Sequence, residues 1–220
     1  MQPIEGSVIA CAGLGSRLGM GMPKCLIEIG GCTILTRLIE MLRPHVPRIH
    51  VVIGYREELV IDHCARHHPD VVLVRNPNFR DTTTVDSYRL GSIGFHNKVL
   101  FLDGDLIINE HSFDLFLALA AAKELLIGVT PAKSSQPVFV NTRANAQEGA
   151  EEVLGFHRGQ KTNLEWANLF CGNPAILNAP NDYVYECLEK FLPASGRCVE
   201  LFEIDTLEDL SRATNQLPLY

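Results

Sequence analysis

The sequence predicts an α/β fold, a mixed and mostly parallel sheet flanked by helices and carrying a small β insertion, on three observations. Short apolar runs alternate with amphipathic stretches of helical spacing, the pattern of βαβ units. Two chemically distinctive segments directly follow apolar runs: four glycines (Gly13, Gly15, Gly19, Gly21) after Val8–Ala12, and Asp103-Gly104-Asp105 after Lys98–Leu102. In a parallel sheet both would stand at the carboxyl ends of strands, where open α/β sheets bind ligands. Between 136 and 173 the alternation gives way to shorter strands joined by polar turns, with Asn141, Gly149, Gly155 and Gly159 as breakers.

Taken in order, residues 7–12 read as the first strand and 13–24 as a loop. Cys32–Leu42 places Ile34, Leu35, Leu38, Ile39 and Leu42 on one helical face, with Thr33 as N-cap and Pro44 as the stop. Arg48–Ile53 is a second strand ended by Gly54, and 56–68 a helix closed by Pro69. Val71–Val74 is a third strand, all apolar, as expected of a strand covered on both faces. Asn76–Thr84 is a polar loop, Val85–Phe95 a helix, Lys98–Leu102 a fourth strand, His111–Lys123 a helix and Leu125–Thr130 a fifth strand. After the irregular stretch come a helix over 181–192, a strand over 198–204 and a helix over 206–216. At 220 residues the expectation is one domain, 1–220, with the insertion at about 131–178.

Composition narrows the function. The net charge of −7 and the lack of a basic stripe argue against a nucleic-acid partner. No apolar run approaches the roughly 20 residues that span a bilayer, and the start of the chain lacks the basic and apolar parts of a signal peptide. The expectation is a cytoplasmic protein with no membrane partner. Seven cysteines without C-x-x-C spacing suggest buried thiols, not a disulfide framework or a zinc ribbon.

The stretch V-I-A-C-A-G-L-G-S-R-L-G-M-G-M-P-K, Val8 to Lys24, carries the most chemistry. Successive backbone N–H groups in a glycine loop form an anion-binding concavity, and Arg17 and Lys24 add two full positive charges. The loop is suited to a polyphosphate. It lacks the Lys-Ser/Thr of a Walker A loop and the third glycine of the dinucleotide fingerprint. The whole string, with A-x-A-G-x-G-S-R-L-G followed by P-K, resembles the N-terminal signature of the nucleotidyltransferases that make activated sugars and alcohols. The short gap between Arg17 and Pro23-Lys24 resembles their cytidylyltransferase branch. The resemblance implies a Rossmann-like fold of the nucleotide-diphospho-sugar transferase type, a loop (Ala10, Ala12, Gly13, Gly15, Ser16, Arg17) wrapped around an NTP, and two catalytic groups, Arg17 on the phosphates and Lys24 beside the α-phosphate. Such chemistry rests mainly on positioning and electrostatics.

Asp103-Gly104-Asp105 supplies two carboxylates at a strand end, suited to Mg²⁺. By the same resemblance Asp105 is a metal ligand, Asp103 lies nearer the nucleoside or just behind the metal ligands, and Asp205 of E-I-D-T-L-E-D-L completes the metal site. The segment Asn76–Ser87 resembles the N-P-x-[YF]…T-N-T-V-x-S-L stretch of phosphocholine-type cytidylyltransferases, which places Ser87 at the pyrimidine or ribose. Thr83 and Tyr88 depart from that pattern, and so the base contacts stay open. A Gln and a G-T-A that would mark the sugar-nucleotide branch are missing here, so CTP is favoured.

The acceptor pocket falls to 156–185. Trp166, Phe170, Tyr183 and Tyr185 are candidates for a cage around a quaternary ammonium, or else for core; Arg158 and Lys161 are candidates for an acceptor phosphate. His63 and His67 share an i, i+4 face without the Glu of H-E-x-x-H, which disfavours zinc. The expectation is a Mg²⁺-dependent transfer of CMP from CTP to a phosphorylated small molecule (phosphocholine, aminoethylphosphonate, or another alcohol or sugar phosphate) with release of pyrophosphate. A sugar-1-phosphate nucleotidyltransferase using another NTP, a D-x-D glycosyltransferase of related fold, and a non-catalytic nucleotide-binding module remain as alternatives.

Overall fold

The structure is a computed structural model that describes residues 3–15, 18–145, 150–178 and 183–216. Strand β1 (Gly6–Cys11) opens the chain. A helical turn at Lys24–Leu26 and a two-stranded ribbon, β2 (Glu28–Ile29) and β3 (Cys32–Thr33), lead into α1 (Ile34–Leu42). Then come β4 (Ile49–Ile53), α2 (Glu57–His67), β5 (Val72–Arg75), α3 (Thr84–Gly91), β6 (Val99–Asp103), β7 (Leu106–Ile108), α4 (Glu110–Ala120) and β8 (Leu126–Pro131). The second half adds β9 (Phe139–Asn145), β10 (Ala150–His157), β11 (Leu164–Gly172), a helical turn at Pro174–Asn178, α5 (Val184–Glu189), β12 (Ala194–Cys198), β13 (Leu201–Glu203) and α6 (Leu207–Gln216).

Nine strands form one sheet in the order β5-β4-β1-β6-β11-β8-β12-β10-β9. The first four are mutually parallel, and β11 runs antiparallel to both β6 and β8. This is the mixed, mostly parallel sheet expected. Alternate residues of each central strand serve opposite faces. Ile9, Val51, Leu100 and Leu102 pack with α1, α2 and α4. Val8, Val52, Val99 and Phe101 pack with α3 and α5 on the other face. Thr33 caps α1 as expected, its hydroxyl accepting the Thr36 N–H at 3.1 Å.

Several expectations are corrected. The third strand lies at the edge of the sheet and pairs only with β4, which leaves Val72 46% exposed, so its apolar run does not mean two covered faces. The helix expected to reach Phe95 stops at Gly91, where Ser92 caps it and Gly94, at φ +87°, turns the chain. The strand expected over 198–204 is two strands in different sheets. Glu200 bridges them: its N–H donates to Ser112 Oγ (3.0 Å) and its carbonyl accepts from Asn109 N–H (2.8 Å). Of the helix expected over 181–192, α5 covers Val184–Glu189, and residues 179–182 lie outside the described residues. The stretch read as shorter strands holds three strands of 7, 8 and 9 residues. Strand β9 bonds back to β11 at Phe139–Glu165, so this part of the sheet curls on itself.

The topology brings the first glycines and Asp103 together. Ala10 is paired with Asp103 across β1 and β6, and the Gly104 N–H donates to the Ala10 carbonyl at 2.9 Å. Only glycine fits at 104, where a Cβ would stand 2.4 Å from Cys11 Sγ and 2.8 Å from Ala10 O.

Candidate active site

A cleft of about 510 Å³ opens at the carboxyl ends of β1 and β6. Lys24 projects into it from the helical turn after Pro23. Gly15 makes room for the lysine: at φ +59°, it passes so close that a Cβ would stand 3.0 Å from Lys24 Cγ. The Lys24 ammonium donates to Asp105 Oδ2 at 2.8 Å and to Asp205 Oδ1. Three side chains from distant parts of the chain thus meet, each no more than 16% exposed. Asp105 is placed by the Gly104 turn after β6 and Asp205 by the turn into α6, where Thr206 and Asp209 exchange capping hydrogen bonds.

Glu203, at the end of β13, joins the pair. Ligand oxygens of Asp105, Glu203 and Asp205 all lie within 4.8 Å of one another. Asp105 Oδ1 is buried with no hydrogen-bond partner among the described residues. Three hard oxygen donors, one of them orphaned, fit a small divalent cation such as Mg²⁺. Among the described residues this is the only such group of three potential metal ligands. Sequence reasoning missed Glu203, although E-x-D at the end of a strand already placed the two carboxylates on one face.

The crowding has electrostatic consequences. Burial first, and then the negative charge of Asp105, push the Asp103 carboxyl up to about 7. Burial and the Asp105 and Asp205 charges push Glu203 up to about 9. Burial opposes the charge on Lys24, but Asp105 and Asp205 outweigh it and hold the ammonium well above its ordinary range. The cluster gathers negative charge around one cation and has a strong demand for more positive charge.

Ala10, Ala12, Gly13 and Gly15 line the cleft, and Ser16 and Arg17 lie outside the described residues. Ser87 also faces the cleft. Its hydroxyl accepts from the buried Asn76 amide (3.2 Å), which also donates to Thr82 Oγ1 (3.0 Å). Tyr88, the departure from the family pattern, is fully buried, and its hydroxyl donates to Asp103 Oδ1 at 2.7 Å. A leucine there would leave that carboxylate oxygen without this donor. Arg80, whose guanidinium lies 5.2 Å from the Phe79 ring centroid, adds a cleft-lining charge that sequence reasoning did not single out.

The four candidate cage aromatics do not converge. Phe170 is completely buried and stacks on Phe101 at 4.6 Å. Trp166 presents one side to the cleft but packs edge-on against Phe156 in the core. Tyr183 and Tyr185 stack on each other at 5.6 Å on the cleft wall, and Arg158 lies over both. Lys161 is exposed and is not on the cleft wall. Sequence reasoning also missed Asn168. It sits at φ +53° where the register of β11 slips between Trp166 and Phe170, and it lines the cleft. A bulge beside a site re-aims side chains, but an asparagine inside an apolar strand gives little advance sign of one. His63 is held by Thr33 and Thr36 hydroxyls and lies away from the cleft. All seven cysteines are free, five of them buried.

Comparison with known proteins agrees with this geometry. Residues 7–166 match the model of the MobA-like NTP transferase domain. The bifunctional protein GlmU of Neisseria meningitidis is 34% identical over 130 residues, covering 58% of this chain and 28% of that protein. The chain thus spans well under a third of that curated relative. The crystal structure of HddC from Yersinia pseudotuberculosis superposes with a TM-score of 0.72 at 20% identity over 97% of this chain and all of that one. HddC has also been solved in complex with GMP-PN. LicC, the CTP:phosphocholine cytidylyltransferase of Streptococcus pneumoniae, superposes with a TM-score of 0.76 at 16% identity, over 97% of this chain and 100% of its own. At these identities the two structures speak for the fold, and the match over 7–166 speaks for the family. This chain belongs to the MobA-like NTP transferase domain family.

Proposed function

We propose that the protein transfers a nucleoside monophosphate from an NTP, with CTP favoured, to a phosphorylated small-molecule acceptor and releases pyrophosphate. The observation that carries this reading is Lys24, held between Asp105 and Asp205 and lining a cleft that Ala12–Gly15 also line. In the reaction, an acceptor phosphate oxygen forms a bond to the α-phosphorus while the bond from that phosphorus to the bridging oxygen breaks. The electron pair leaves with pyrophosphate. Negative charge grows on the equatorial oxygens, and a preorganised cation in a water-poor site stabilises it. Lys24 meets that need and stays protonated throughout, because its neighbours hold it well above neutral pH. The backbone of Ala12–Gly15 would cradle the triphosphate, and Arg17 would hold its outer phosphates. Asp105, Asp205 and Glu203 would hold Mg²⁺, which supplies further positive charge to the phosphate oxygens when bound.

Asp103, locked by Tyr88, and Ser87, locked by Asn76, provide fixed polar atoms for the nucleoside. The likeness of 76–87 to the cytidylyltransferase segment supports CTP. The GMP-PN complex of HddC makes the base the first thing to test. A coupled pyrophosphate-release assay with each of four NTPs, Mg²⁺, and a panel of phosphocholine, aminoethylphosphonate and sugar 1-phosphates tests the proposal. Turnover with CTP well above the other nucleotides is expected. Release with GTP or UTP alone overturns the choice of base, and no release with any pair overturns the transfer.

A further inference from the structure

We propose that Arg158, mounted on Tyr183 and Tyr185, is the binding group for an anionic part of the acceptor, and that the tyrosine pair is not a cage for an ammonium head group. The inference rests on the transfer reading above, since it names the acceptor class of the same cleft. The guanidinium of Arg158 lies 5.3 Å from the Tyr183 ring centroid and 5.6 Å from that of Tyr185, and its Nε donates to the Tyr185 hydroxyl at 3.4 Å. The two rings stack at 5.6 Å with 18° between their planes. The π-faces that would attract a quaternary ammonium already hold a cation, and a second cation there would meet like-charge repulsion.

The other two aromatics offer no replacement, since Phe170 is sealed in the core and Trp166 is only 8% exposed. A cage needs several faces around one cation, and of the four candidates here two are taken by Arg158 and two are buried. Arg158 itself has unmet capacity. No carboxylate pairs with it among the described residues, in contrast to Arg43, Arg48, Arg75 and Arg143, each of which has an acidic partner. It is exposed and lines the cleft. A guanidinium carries five N–H donors, and Arg158 directs one to Tyr185. The remaining fork suits an anion with two oxygens side by side, a phosphate, phosphonate or carboxylate. The aromatic seat limits the freedom of a long side chain, so less is lost when the anion binds.

The test uses the full chain saturated with a non-hydrolysable CTP analogue and Mg²⁺, so that the triphosphate site is blocked. Calorimetric titrations with inorganic phosphate, methylphosphonate, acetate and choline then read the acceptor half. At least one anion is expected to bind, and choline is not. Arg158→Gln is expected to weaken anion binding at least tenfold, and Arg158→Lys, which keeps the charge but loses the fork, to fall between. Because Arg158 is exposed, both variants are expected to fold, which a thermal melt checks. Anion binding unchanged in Arg158→Gln, no anion binding to the wild type, or choline binding that Tyr183→Ala abolishes would each overturn the inference. The titration with the CTP analogue comes first and separates the two claims. If no nucleotide binds, the transfer reading fails; if it binds and the Arg158 variants behave like wild type, only the acceptor assignment fails.

Discussion

Replacing Lys24 with methionine removes one positive charge and its N–H donors from a point in contact with both Asp105 and Asp205, while keeping most of the side chain's length. A unit charge about 4 Å from another, at an effective dielectric near 20, interacts by roughly 4 kcal/mol. Part of that acts equally on bound NTP and transition state and does not affect the chemical step. Removing one preorganised donor from a comparable site typically costs about 2.7–4 kcal/mol, or roughly 10²–10³ in kcat. Lys24→Met should therefore lower kcat by two to three orders of magnitude, with a smaller change in KM for the NTP. The same substitution leaves Asp105, Glu203 and Asp205 without the cation that lies between two of them. Mn²⁺ binding, read by electron paramagnetic resonance without nucleotide, should tighten in the variant. A kcat within threefold of wild type, or Mn²⁺ affinity unchanged or weaker, would refute the reasoning.

Three further predictions follow from the same geometry. Tyr88→Phe removes the hydrogen bond to Asp103 and leaves a buried carboxyl oxygen short of a donor. It should cost about 1–3 kcal/mol of stability, read by denaturant titration, and raise KM for the NTP more than it lowers kcat. Gly104→Ala forces a Cβ against Cys11 Sγ and the Ala10 carbonyl; a loss of about 1–3 kcal/mol, together with weakened Mn²⁺ binding through displacement of Asp105, is the expected outcome. Burial lowers the pKa of His50, His63 and His68 in the folded protein. Below the ordinary histidine value of about 6.5, the unfolded chain therefore binds more protons. The histidines' share of the stability should be fully present above that pH and be lost as pH falls through the lowered values, while the raised Asp103 and Glu203 carboxyls contribute with the opposite sign. The difference in melting temperature between wild type and His50→Gln isolates one histidine: it should shrink as pH falls through that window, and a difference that grows would reverse the sign.

The elements that position the site were legible because local chemistry dictates them. An apolar run followed by glycines forms a strand and a loop in almost any context, and the periodicity of Ile34–Leu42 with Thr33 ahead of it forms a capped helix. Lys24, Asp105 and Asp205 could be named because each sits in a short string that resembles a nucleotidyltransferase motif. That Lys24 bridges the two carboxylates could not be read, because the three are 81 and 181 residues apart in the chain and only the folded sheet brings them together. The edge position of β5 was hidden because an apolar run looks the same whether one face or two are covered. Glu203 was overlooked beside a more conspicuous aspartate. In the sequence Arg158 and the two tyrosines stand as rival candidates, whereas in the fold they form one unit. That relation depends on the curl of β9, β10 and β11, where sequence periodicity is weakest.

The central claim is attack on the α-phosphorus, and phosphorus NMR of a complete reaction reads it directly. With CTP, Mg²⁺ and a productive phosphorylated acceptor, the account predicts that the nucleotide's three resonances give way to pyrophosphate. Two coupled resonances of a new diphosphate diester should grow in equal amount, and Lys24→Met should suppress both. Appearance of CDP with orthophosphate, or a spectrum unchanged with every nucleotide and acceptor while the nucleotide demonstrably binds, would contradict it.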